Sequence, residues 1–120
     1  MGYSTTFYGN FEFSRQLTLD EKNELDKFAS ERHEGVIRFS DWCDWIPNKE
    51  GTHLRHNGSE KFYEYTEWLR YLIKNFFEPW GVKLNGSVEW AGEDSGDIGE
   101  IRVKNNEVKV ATAKITFEEE

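Results

Sequence analysis

The sequence predicts an α+β domain, an antiparallel sheet with two helices packed on one face, in a ferredoxin-like βαββαβ order extended by a C-terminal β-hairpin. Three observations carry this reading. Tyr3 to Phe13 alternates with period two, placing Tyr3, Thr5, Phe7, Gly9, Phe11 and Phe13 on one face. From Ser59 to Gly81, Phe62, Tyr65, Leu69, Leu72, Ile73 and Phe76 recur at helical spacings. After Gly81, short alternating runs separated by turn residues read as strands.

Taken in order, the first run is a half-buried strand, with Gly9 marking a bulge or a close approach. Thr18 and Glu21 stand three apart, as the two members of a capping box do, which starts a helix from about Leu19 to Arg32 with Leu25, Phe28 and Ala29 inward. Val36 to Ile46 reads as a second strand, with Ile37, Phe39, Cys43 and Trp45 on one face. Asp41 falls on that apolar side and implies a bulge or a turn cap. Pro47 to Gly51 is a turn, Thr52 to His56 a short third strand, and Asn57-Gly58 a strong turn signal.

The central helix follows. Ser59 suits its N-cap, Glu60 the positive helix start, and Pro79 and Gly81 its end. Its six stripe residues contribute on the order of 1.5–3 kcal/mol each on burial, before ordering entropy. Val82 to Trp90 alternates as a fourth strand. Gly92 to Gly99 is an acidic glycine-rich loop, and Gly99 to Lys104 a fifth strand. Asn105-Asn106 suits the two left-handed positions of a type I′ turn, and Val108 and Val110 lie on the return strand. The parity then shifts to Ala111, Ala113, Ile115 and Phe117, implying a bulge or an independent last strand before a solvated Glu118–Glu120.

At 120 residues there is room for one domain, 1–120, and one core. Hydrophobic content is low at 37% but aromatics reach 16%, so aromatic rings carry much of the burial and the chain is not disordered. The net charge of −8 disfavours nucleic acid and anionic membranes and suits a partner with a basic surface. The single cysteine, Cys43, excludes an intramolecular disulfide. With no long apolar run, the chain reads as cytoplasmic, without a membrane segment.

Candidate chemistry is sparse. His53 and His56, three apart in a strand, point to opposite faces and read with His33 as surface histidines. Cys43 reads as an inert thiol. No phosphate loop, Ser-His-Asp pattern or basic aromatic array is evident, so no cofactor, no metal and no catalytic residue are assigned. The loop acids Glu93, Asp94 and Asp97 lack calcium-hand spacing and read as solvated. Asp41 and Asp44, among Trp42, Cys43 and Trp45, read first as charges on an edge strand. The alternative is carboxylates of raised pKa, or groups bonding a ligand stacked on indole. On the central helix Tyr63, Trp68 and Tyr71, with Phe77 and Trp80, widen the apolar arc beyond one core face, which marks a contact flank. The candidate partner- or ligand-binding residues are therefore Trp42, Asp44, Trp45, Tyr63, Trp68, Tyr71, Glu93, Asp94 and Asp97.

The block Gly58 to Asp94, GSEKFYEYTEWLRYLIKNFFEPWGVKLNGSVEWAGED, resembles a family of small, mostly uncharacterised proteins of tailed bacteriophages and prophages. Gly2-Tyr3-Ser4-Thr5 with Phe7-Tyr8-Gly9, the segment Trp42-Cys43-Asp44-Trp45 and the closing Asp97-x-Gly99-x-Ile101 extend the likeness over most of the chain. The sequence departs in being short between its first helix and Trp42, and in continuing past Val110. The resemblance implies no catalytic residues. It implies a non-enzymatic phage accessory protein that binds a host protein in the host cytoplasm, for instance an inhibitor of a host defence system. The alternatives are a small-ligand protein for a nucleotide signal, stacking it between Trp42 and Trp45, and a structural or interaction domain. A homodimer through an exposed strand edge, at Tyr3–Ser14 or the C-terminal strand, stays open.

Overall fold

The computed structural model describes residues 3–59 and 62–112. Nine residues of alternating sequence, Thr5–Phe13, form β1, and two neighbours hold it in register. β1 pairs antiparallel with β4 (Leu84–Gly92) along its whole length, from Thr5 opposite Gly92 to Phe13 opposite Leu84. On its other side it pairs with β3 (His53–His56), which pairs with the short β2 (Trp45–Pro47). Beyond β4 come β5 (Ile98–Lys104) and β6 (Glu107–Thr112). The result is one six-stranded antiparallel sheet in the order β2-β3-β1-β4-β5-β6. That order extends two strands past β4 and is not a simple ferredoxin-like sheet. β1 is central, so its edge is not free for a second copy; among the described residues the edges are β2 and β6.

One face of the sheet is buried. Phe11, Phe13, Trp45, Leu54, Leu84, Val88, Trp90, Ile101 and Val103 form the core with helix residues Leu25, Trp68, Leu69, Leu72, Ile73 and Phe77. Thr6, Tyr8, Asn10 and Glu12, on the opposite face of β1, are exposed, as period two requires.

Helix α1 (Leu19–Ser30) starts at the predicted capping box: the Glu21 backbone N–H donates to Thr18 Oγ1, and the Thr18 N–H to Glu21 Oε1. Glu21 also pairs with Arg15 at 2.7 Å, and Arg15 donates to the Trp80 carbonyl at 3.1 Å, tying the start of this helix to the end of the central one. The Arg15 guanidinium holds the Glu21 carboxyl down at about 2.

The central helix begins later than its apolar stripe implies. Glu64, in the left-handed region at φ +56, precedes α2 (Tyr65–Leu72). A π-helical segment (Ile73–Phe77) and a short α3 (Glu78–Trp80) continue it, and Gly81 ends it at φ +69. Ser59 lies outside the helix, because its hydroxyl is bonded to Asp44 instead; the expected role of Glu60 falls outside the described residues. The wide π turn keeps residues four apart in line, so Leu69, Ile73 and Phe77 are buried and Phe76 only half so.

The second strand is the largest departure. Of Val36–Ile46 only Trp45 and Ile46 pair in a strand, as the start of β2; Ile37 and Ser40 make an isolated bridge, and the rest is irregular. The chain from Glu31 to Asp44 is held instead by local and long-range bonds described below. At the far end, Asn105 and Asn106 take φ +48 and +71, the predicted I′ geometry. β6 continues regularly to Thr112; the expected last strand and acidic end lie outside the described residues beyond it. Among the described residues no helix is long and apolar enough to cross a membrane.

Candidate functional site

The nine sequence-derived candidates separate into three groups. Trp45, Trp68 and Asp44 are buried, at 1%, 0% and 8% exposure. The Trp45 indole N–H donates to the Tyr65 carbonyl at 2.8 Å, and its ring packs edge-on against Phe7, Phe11 and Phe62. Trp68 donates to Ser40 Oγ at 2.8 Å. Tyr71 is half-buried and stacks on Phe28 at 5.5 Å. Trp45 and Trp68 are therefore core and not partner-facing, and of the contact flank expected on the central helix only Tyr63, just before α2, stays exposed. The other surplus aromatics of that helix are covered by α1 and the Glu31–Asp44 segment, which periodicity within one helix cannot reveal. With Trp45 buried, Trp42 is the one of these two indoles that a ligand could reach.

A second group forms around Tyr3, which sequence reading treated only as a strand residue. Its hydroxyl donates to Asp97 Oδ2 at 2.7 Å and accepts from the Asp94 backbone N–H at 3.0 Å; its own backbone N–H donates to the Tyr63 hydroxyl at 3.1 Å. Trp90 Nε1 donates to Asp97 Oδ1 at 2.9 Å, and the Ser4 N–H to Glu93 Oε1 at 2.7 Å. The hydrogen bonds from Tyr3 and Trp90 lower the pKa of Asp97. Tyr63, Glu93, Asp94 and Asp97 are thus brought together, and the loop is ordered by its acids rather than simply solvated. Gly92 is required here, since a Cβ there would overlap the Asp97 carboxylate. Among the described residues no three His, Cys, Asp or Glu side chains converge as a metal site would require.

The third group is the surface made by Phe39, Trp42 and Tyr63. These side chains are 78%, 47% and 41% exposed, and with Ser40 and Asp41 they line one depression of about 400 Å³. Phe39 occupies the third position of the tight turn Ile37–Ser40 at φ +69, a conformation that favours glycine. The turn is well anchored. The His33 backbone N–H donates to the Asp41 carbonyl at 2.7 Å, Arg32 pairs with the Asp41 carboxylate at 2.8 Å, and Ser40 accepts from buried Trp68. His33 itself stacks on Phe28 at 3.8 Å, so it too is less free than a surface histidine. Alternation places Phe39 at a core-facing strand position; its positive φ turns it outward, and no sequence signal marks that.

A Ser-His-Asp set not evident in the sequence does assemble beside β1. Ser59 Oγ donates to Asp44 Oδ2 at 2.6 Å and lies 3.4 Å from His56 Nε2; Asn57 donates to Asp44 Oδ1 at 3.3 Å. His56 is half-buried, stacked on Phe62, rather than a surface residue. Burial lowers its pKa, and the Gly58 N–H donates to its Nδ1, which leaves the proton on Nε2. The imidazole therefore offers Ser59 a donor and not a base. The Gly58 and Ser59 N–H groups already donate to His56 Nδ1 and Asn57 Oδ1 and cannot receive an oxyanion. The arrangement closes a turn. Cys43 is equally unsuited to attack: burial pushes its thiol up to about 12.

No protein-family model, curated protein or solved structure matches the chain. Of the three groups, the Phe39–Trp42–Tyr63 surface is the one that presents large aromatic side chains to solvent.

Proposed function

We propose that the chain is a non-enzymatic, phage- or prophage-encoded accessory protein that binds a host protein in the host cytoplasm. The surface it uses is that of Phe39, Trp42 and Tyr63. The observation that supports this best is the exposure of three aromatic rings, from two separate segments, around one depression. Soluble chains rarely leave such rings together in water unless they meet another surface. Aromatic side chains lose few rotatable bonds on binding, so a fixed cluster of them favours recognition.

The anchoring of the Glu31–Asp44 segment supports the same reading. A preorganised loop loses little further entropy when a partner docks. Inhibition of a host defence factor by occlusion is the form of action this surface suits, since it needs contact and no chemistry. The fold we propose for the first four strands, β2-β3-β1-β4 with a helix in each half, is a ferredoxin-like frame. The meander β5-β6 is added at its β4 edge.

The test is crosslinked affinity capture from host lysate with the native chain and with a Trp42→Ser, Tyr63→Ser double variant of unchanged melting temperature. The expected result is one or a few proteins held by the native chain and lost with the variant. Capture of the same proteins by both, or of none by either, overturns the assignment.

A further inference from the structure

We infer that Phe39 is the anchor of this surface, and that the partner receives it in an apolar pocket edged by lysine or arginine. This rests on the protein-binding reading above and specifies its partner.

Phe39 is held where a side chain is costly. At φ +69 in the turn Ile37–Ser40, glycine would relieve the strain, and the ring recovers almost nothing by burial because it is 78% exposed. The Arg38 guanidinium lies over it, with Cζ 4.7 Å from the ring centroid. The ring is thus already the acceptor of a guanidinium in a cation–π contact. Glu64, beside Tyr63, is the other residue near this surface in a left-handed conformation, so two strained positions flank it. Strain of this kind persists where the surrounding structure enforces it and is concentrated at functional surfaces.

Charge decides the occupant. Arg32 already neutralises Asp41 at the depression, and Arg38 sits on Phe39. The free negative charge therefore lies on the Tyr63 side, where Tyr3 carries the line from Tyr63 to the exposed acids Glu93 and Asp94. Glu64 adds a further exposed acid. On a chain of net charge −8, these repel nucleic acid, anionic lipid and a second copy of the chain itself. A basic protein surface is attracted, and its cations would meet an aromatic face and a carboxylate rim together.

A display library of random short peptides, panned on the full-length chain, tests this. The expected winners share one large apolar side chain flanked by Lys or Arg. They bind Phe39→Gly at least about tenfold more weakly while its melting temperature does not fall. They also bind Asp94→Lys more weakly, with a shallower salt dependence. Winners that require Trp42 and Tyr63 but ignore Phe39, or that are acidic, overturn this inference and leave the protein-binding reading standing. Winners indifferent to all three rings, or no enrichment, overturn both.

Discussion

Ser40→Ala is the substitution that most directly probes how the irregular segment carrying Phe39 and Trp42 is held. Ser40 is 7% exposed, Trp68 is fully buried, and the Ser40 hydroxyl is 2.8 Å from the indole nitrogen. Among the described residues no buried side-chain polar atom lacks a partner. Alanine fits where serine does, so the loss is polar: a buried indole N–H without an acceptor, which costs about 1–3 kcal/mol. A domain of 120 residues unfolds with an entropy near 0.25 kcal/mol/K, so the midpoint should fall by roughly 4–12 °C. Urea denaturation should show a lower midpoint at unchanged slope. The decisive measurement is the double-mutant cycle with Trp68→Phe, which itself removes the donor and leaves a small cavity. In that background Ser40→Ala should cost only a few tenths of a kcal/mol, giving a coupling of about 1 kcal/mol or more. A single-variant loss below about 0.5 kcal/mol, or equal losses in both backgrounds, refutes the claim that this bond secures the segment.

Other perturbations have equally definite outcomes. Glu21→Gln keeps a capping-box acceptor but loses the ion pair to Arg15, so it should cost about 0.5–1 kcal/mol at neutral pH, Arg15 being partly solvated. The folded Glu21 carboxyl sits at about 2 against 4.5 ordinarily; its contribution is therefore full above pH 4.5 and lost as pH falls towards 2, where the variant and native melting curves should converge. His56 has its pKa lowered from 6.5 by burial, so the unfolded chain protonates first. Stability should decline as pH falls below 6.5, and His56→Gln should flatten that slope; an NMR titration midpoint at or above 6.5 would contradict it. Gly99→Ala would drive a Cβ into the Trp90 ring, and the loss of the Trp90–Asp97 bond should appear as altered tryptophan emission together with a lower melting temperature. Cys43 should resist a thiol reagent in the folded chain and react only at the rate of unfolding.

How far the sequence was legible differs from element to element. Thr18 and Glu21 announced the start of α1 because a capping box is complete within four residues, and Asn105-Asn106 announced the hairpin because both are tolerated at positive φ. Alternation located β1, β4 and β5 to within about two residues, since burial of one face imposes period two. The stretch from Val36 to Ile46 misled because Ile37, Phe39, Cys43 and Trp45 alternate by spacing alone; a turn at Phe39 and the bonds to Asp41 interrupt the pairing that alternation would need. The aromatic surplus on the central helix misled for the opposite reason. Periodicity says that a ring is apolar, and only the packing of Phe28 on Tyr71 and of Ser40 on Trp68 says that it is covered.

What the sequence determined by itself is local: strand parity, the cap of α1, the turns, and a reserve of aromatic rings large enough for one core under a strongly negative surface. Tertiary structure alone decided which rings that core kept. Burial depends on what arrives from far along the chain: Phe28 of α1 arrived over Tyr71 and Ser40 over Trp68, while Phe39, Trp42 and Tyr63 were left partly in water. It also decided that Tyr3, 60 residues from Tyr63 and 94 from Asp97, would join the candidate surface to the acidic loop. Contacts at such separations have no period to read, because chain closure and side-chain complementarity select them rather than neighbouring residues.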